Sequence, residues 1–158
     1  MTRLFDAPRE LVYQAWTEAE RLALWWGPSG FTLSVLALEL TPGGMFHYAM
    51  TAANGFEMCG KFTYRELAPP ERIVSTLSFA DRLGQPVRHP LSATWPLATL
   101  NTMTLSDENG KTRLTLRSTP HEANDIENAT FAAGHGAMVA GFTGTFDQLD
   151  AYLAEVQA

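Results

Sequence analysis

Between two runs of alternating residues stands Asn109-Gly110, a pair well suited to a two-residue hairpin turn. With that turn, Leu105 faces Leu114 and Met103 faces Leu116, which gathers apolar side chains on one face. Thr112, Leu114, Leu116 and Ser118 then point one way, and Arg113, Thr115 and Arg117 the other. Asn54-Gly55 can be tested in the same manner. A two-residue turn there would set Phe46 against Thr63 and Tyr48 against Lys61. A three-residue loop, Ala53-Asn54-Gly55 with Gly55 left-handed, instead sets Phe46 against Phe62 and Met50 against Met58. The longer loop is preferred, because a one-residue slip would turn the whole aromatic set towards water.

Pro42-Gly43-Gly44 and Pro69-Pro70 supply further breaks, so residues 31–119 read as antiparallel β structure. Residues 81–98 carry three prolines and no steady period, and read as a long loop between strands. Helical patterns bracket this region. Pro8 suits a first turn before Leu11, Val12, Ala15 and Trp16, and Thr17-Glu18-Ala19-Glu20 has the form of a capping box. The second short helix should stop at Gly27-Pro28. Thr119-Pro120-His121-Glu122 is a second capping-box pattern. After it, Phe131, His135, Met138, Phe142, Phe146, Leu149, Leu153 and Val156 step by three or four as one apolar face.

That face runs through GHGAMVAGFTGTF, residues 134–146, which holds four glycines. A dinucleotide-binding loop needs a strand before it, and a P-loop needs a Gly-Lys-Ser/Thr ending; both are missing. Each glycine costs a helix about 1 kcal/mol relative to alanine. Two offsets are open: close approach of the helix to its neighbours, or room left for a ligand.

A net charge of −6 without a Lys/Arg stripe argues against nucleic acid and anionic membranes as partners. The single cysteine, Cys59, rules out an intramolecular disulfide and a multi-cysteine zinc site, and no His-x-x-x-His pattern occurs. No stretch is long and apolar enough to span a membrane, and the first residues lack a signal-peptide core. One soluble, cytoplasmic domain spanning 1–158, without metal or cofactor, is the expectation.

The chain resembles the START/SRPBCC superfamily, the Bet v 1-like helix-grip fold shared with the birch pollen allergen. Within it, the chain is similar to the branch related to the activator of the heat-shock protein 90 ATPase. The resemblance is carried by FDAPRELVYQAWT (5–17), WWGP (25–28), PGGMF (42–46), GKFTYREL (60–67), PERIV (70–74), TWP (94–96), GKTRLTL (110–116) and GFTGTFDQL (141–149). It implies an α+β fold in which a curved antiparallel β-sheet wraps around a long C-terminal α-helix, with two short helices after strand 1. Relatives usually have a longer first strand than this chain, which has only Met1 to Leu4 ahead of its FDAP stretch. The resemblance informs the fold more than the function, since superfamily members include lipid carriers, cyclases and co-chaperone domains.

Such a fold leaves a cavity between sheet and helix. Its expected lining is Phe46, Tyr48, Met58, Met103, His135, Met138 and Phe142, with Trp25, Trp26 and Trp95 closing the mouth. His135 is the polar residue on the expected inner face, His47 should point outward, and Cys59 is an inert thiol. Three functions compete: a binding protein for a small hydrophobic or amphipathic molecule, a cyclase/dehydratase-like enzyme using His135 or Tyr48, and a chaperone-interacting stress-response module. A homodimer suits a domain of this size, but no sequence feature demands one.

Overall fold

A computed structural model describes all 158 residues, Met1–Ala158. The elements are β1 (Thr2–Phe5), α1 (Arg9–Thr17), α2 (Ala19–Trp25), β2 (Phe31–Leu38), β3 (Met45–Ala52), β4 (Glu57–Ala68), β5 (Arg72–Ala80), β6 (Pro86–Val87), β7 (Ala98–Glu108), β8 (Lys111–His121), α3 (Asp125–Ala133) and α4 (His135–Val156). All strand pairs are antiparallel, in the order β1-β8-β7-β5-β4-β3-β2, with β6 appended to β5. This is the α+β helix-grip architecture, with α1 and α2 following the first strand.

Both hairpin registers hold. Leu105 pairs with Leu114 and Met103 with Leu116 across the Asn109-Gly110 turn, where both turn residues have positive φ. Phe46 pairs with Phe62 and Met50 with Met58, and Gly55 has a φ of 88°. The short β1 pairs with Thr112 to Thr115 of β8, and the Met1 amino group extends this by donating to the Leu116 carbonyl at 2.8 Å.

Neither capping box forms. Thr17 ends α1, its hydroxyl donating to the Tyr13 carbonyl at 2.8 Å, so Glu18 occupies the cap of α2. Thr119, Pro120 and His121 continue β8 against β7. Pro120 is tolerated because β1 ends its pairing far below it, which leaves β8 an edge strand at that level. The helix begins later, at Asp125, where the Asn124 side chain accepts from the Glu127 amide at 2.8 Å.

The core is one cluster of 24 buried residues joining α1, α2, the inner sheet face and α4. Only the second half of α4 enters it. Thr145, Phe146, Leu149, Tyr152 and Leu153 are buried, whereas α3 has no buried residue and α4 none before Thr145. The expected continuous apolar face is therefore corrected at both ends. His135 and Val156 are exposed, and Phe131, Met138 and Phe142 are half-buried. The helix is also interrupted at Gly134, which separates α3 from α4. His47 does lie on the outer face, but the turn after β5 covers it, and its Nε2 sits 2.9 Å from the Asp81 carbonyl oxygen.

The glycine question resolves residue by residue. A Cβ on Gly134 would meet Trp95 Cζ3 at 2.7 Å, so this glycine permits close approach. At Gly136, Gly141 and Gly144 a Cβ would meet nothing within 4 Å. Replacing Gly144 by alanine should therefore raise stability by about 0.5–1 kcal/mol in urea denaturation. Gly134→Ala should lower it, because the Trp95 ring has to move.

Candidate functional site

The inner sheet face is built in rows by strand register. Tyr48, Gly60 and Phe79 lie side by side across β3, β4 and β5. Phe46, Phe62, Leu77 and Thr99 form the next row, and Tyr64, Ser75, Asn101 and Ser118 the one after it. Gly60 is required where it stands, since a Cβ there would collide with the Tyr48 ring and hydroxyl. The tyrosine can thus lie flat across β4.

Over the first two rows stands a cavity of about 440 Å³. Its floor includes Tyr48, Gly60, Leu77, Phe79 and Thr99, and its roof Gly134, Ala137, Met138, Gly141 and Phe142. Trp26, Gly27 and Pro28 form one wall, and His89, Trp95 and Pro96 from the long loop form the other. This volume falls within the range of about 300–1,000 Å³ common to small-molecule sites. It exists because the first half of α4 stands away from the sheet while the second half is anchored. Gln148 Nε2 donates to the Gly27 carbonyl, and Arg3 is paired with Asp147 at 2.7 Å and with Asp150.

The loop wall is tied to α3. Trp95 packs on Phe131 with ring centroids 5.4 Å apart, the Thr130 and Thr94 hydroxyls are 2.9 Å apart, and Arg88 lies 3.4 Å from Glu127. His89 packs against Phe79 at 4.8 Å, and its Nδ1 accepts from the Leu91 amide at 2.9 Å. In the neutral ring this leaves the hydrogen on Nε2.

Of the ten residues expected at the site, Trp26, Tyr48, Trp95, Met138 and Phe142 line this cavity. Phe46 and Met103 instead line a smaller neighbouring chamber, shared with Trp26 and Phe142. The other three lie elsewhere. Trp25 is buried in the core, its Nε1 donating to the Ala15 carbonyl at 2.9 Å. Met58 is half-buried on β4 near the hairpin end, and His135 projects into solvent at the start of α4. The sequence reading missed Asn101 and Thr99. Its own hairpin register would have found both, because they share a face with Met103.

Burial pushes the Tyr48 hydroxyl up to about 12, and nearby Cys59 adds to this. The Trp26 indole N–H approaches closely enough to oppose the shift, although its geometry falls short of a hydrogen bond. Burial likewise raises Tyr64, and raises the Cys59 thiol with help from Glu57. Near neutral pH these groups hold their protons, and no cluster of His, Cys, Asp or Glu could hold a metal ion. No helix is long and apolar enough to cross a membrane.

Because the folded chain retains the Tyr48 proton that an unfolded chain releases above its ordinary value of 10.0, stability is intact below that pH and declines above it. The slope should be about 1.4 kcal/mol per pH unit for each such tyrosine, up to its folded value. Urea titrations across this range should show a shallower decline for Tyr48→Phe than for the wild type.

Comparison with known proteins agrees with this architecture. A solution structure from Arthrobacter aurescens is 28% identical, with a TM-score of 0.81 over 98% of this chain and 84% of that one. A solution structure from Staphylococcus epidermidis is 26% identical, with a TM-score of 0.76 over 98% and 88%. A crystal structure from Silicibacter pomeroyi, whose name carries the label AHSA1, is 18% identical with a TM-score of 0.71 over 98% and 95%, and supports the fold alone. Among functionally curated proteins, no sequence matches at a significant level. Residues 6–154 match the family described as "Activator of Hsp90 ATPase homolog 1-like protein". The chain belongs to that family, within the START/SRPBCC superfamily.

Proposed function

We propose that the protein binds a small hydrophobic or amphipathic molecule in the cavity between the inner sheet face and the first half of α4. One observation carries this reading. The helix segment above the cavity has no buried residue before Thr145, and Gly141 in its roof has open space where a side chain would be. A roof glycine that served close packing there would show the opposite. The walls are mainly apolar and aromatic, with isolated hydroxyls at Tyr48, Thr99 and Ser118, a composition suited to binding and orienting an amphipathic molecule.

The family and fold are also compatible with a co-chaperone-like role, which here rests on the family name alone. A cyclase-like reaction would call on His135 or Tyr48. The first is exposed on α4 outside the cavity, and the second lines the cavity and keeps its proton up to about 12, so such a reading would rest on Tyr48 as a proton donor alone.

The test fills the cavity from its roof. A Cβ at Gly141 would meet no atom within 4 Å and the cavity below has room for the rest of a leucine, so Gly141→Leu should fold at least as well as the wild type. Both proteins are screened by thermal shift and native mass spectrometry against lipids, flavonoids and neutral aromatic compounds. A binder at one hundred times its Kd should stabilise the wild type by about 2.7 kcal/mol and leave the variant nearly unmoved. Equal shifts for the two proteins, or none for the wild type across the panel, would overturn the proposal.

A further inference from the structure

Strand register fixes where the Tyr48 hydroxyl lies on the cavity floor. Tyr48 on β3 stands opposite Gly60 on β4, and Phe79 on β5 comes next in the row. A Cβ built on Gly60 would collide with the Tyr48 hydroxyl, so that hydroxyl rests over Gly60 on the inner face of the sheet. Both residues line the main cavity, and neither touches the smaller chamber beside it. Tyr48 is only 4% exposed. Its hydroxyl makes no hydrogen bond within the protein, yet it is not among the polar atoms sealed off without a partner. The surface it keeps therefore faces the cavity.

The two sides of this hydroxyl differ. The Trp26 indole N–H approaches its oxygen, and an indole offers a donor but no acceptor. The hydroxyl hydrogen has no protein acceptor, so it is the part left for a ligand, and buried polar groups are rarely left unpaired. The surroundings also decide the charge of the acceptor. Burial raises Tyr48 to about 12, which shows that the site resists negative charge at this point. A carboxylate would meet the same resistance, and the lining holds no Lys or Arg to offset it. An ammonium would find no Asp or Glu, and it brings no lone pair for the tyrosine. The carbonyl oxygen of an uncharged molecule satisfies each condition. Trp26, Phe79, Trp95 and Phe142 offer aromatic surface to the rest of such a molecule.

Building on the cavity reading above, we infer that the ligand is an uncharged carbonyl compound with an apolar body, selected by a hydrogen bond from the Tyr48 hydroxyl. The test uses three flat compounds of one outline near neutral pH. They are 2-acetonaphthone, 2-isopropenylnaphthalene (a methylene group in place of the carbonyl oxygen) and 2-naphthoate. By titration calorimetry, the wild type should bind the ketone about fivefold more tightly than the hydrocarbon, and 2-naphthoate most weakly. Tyr48→Phe keeps the ring and removes the hydrogen, so it should bring ketone and hydrocarbon to near parity by weakening the ketone alone. Gly141→Leu, which fills the cavity, should weaken both.

A second measurement serves if Tyr48→Phe does not fold. The carbonyl stretch of the bound ketone, picked out by ¹³C labelling in infrared difference spectra, should lie below its position in a hydrocarbon solvent. Equal wild-type affinity for ketone and hydrocarbon, an unshifted stretch, or tightest binding of 2-naphthoate overturns the carbonyl assignment and leaves the cavity reading standing. A ketone preference that persists in Tyr48→Phe overturns the part given to Tyr48. Binding of none of the three, or binding that Gly141→Leu leaves unchanged, overturns both.

Discussion

The structure depends on the indole of Trp16. Its ring meets Trp25 at 4.9 Å, Trp26 at 5.5 Å and Phe146 at 6.3 Å between centroids, so one side chain on α1 joins the end of α2 to α4. Trp26 carries the contact onward to Phe62 at 5.2 Å and Tyr48 at 6.1 Å on the sheet. Aromatic pairs of this kind contribute about 0.5–1.5 kcal/mol each beyond the area they bury. The cluster fixes how the helices sit on the curved sheet. It meets α4 at Phe146, with Phe5 supporting from β1 at 5.9 Å. N-terminal to that point on α4 only Thr145 is buried and Phe142 packs against the edge of the core, and the cavity is the space that results.

Polarity is distributed to match. The charged groups that tie α4 down, Arg3 with Asp147 and Asp150, lie on the outer side of its anchored half. Those around the raised half, Arg88 with Glu127, sit on the loop and α3 rather than inside the cavity. Exposed pairs of this kind add little stability individually, but they can set where a loop rests. The interior beneath holds no Asp, Glu, Lys or Arg, and its polar side chains include Tyr48, Thr99 and Ser118.

The β region was legible in the sequence because register is a global constraint: a slip at either hairpin would expose Phe46, Phe62 and their neighbours together. Helix ends were not. Thr17 could cap α2 or bond back within α1, and only the single-residue spacing between the helices decides it. Thr119 could cap a helix or extend β8, and pairing with β7 decides that. The apolar spacing through residues 131–156 is helical, but it is shared between two helices broken at Gly134, and spacing cannot reveal how far a helix stands from what it faces. His135 was misplaced for that reason: it lies in the same stripe as Phe146, yet at the end that the core does not reach. The register that places Met103 also fixes the face of Asn101, but in an alternating strand the apolar members carry the pattern and a polar residue among them gives no signal of its own.

The cleft between Gly134 and Thr145 also bears on how such a protein can change over generations. Substitutions at unburied positions usually shift stability by no more than about 0.5 kcal/mol. Apart from Gly134, which Trp95 crowds, the roof segment is made of such positions, whereas Phe146, Leu149 and Leu153 a few residues further on are almost fully enclosed. One helix therefore carries two kinds of sequence freedom. Its latter half is held to a narrow choice of side chains by the fold, and its earlier half can be rewritten, altering what the chamber beneath accepts, with little penalty to the fold that supports it.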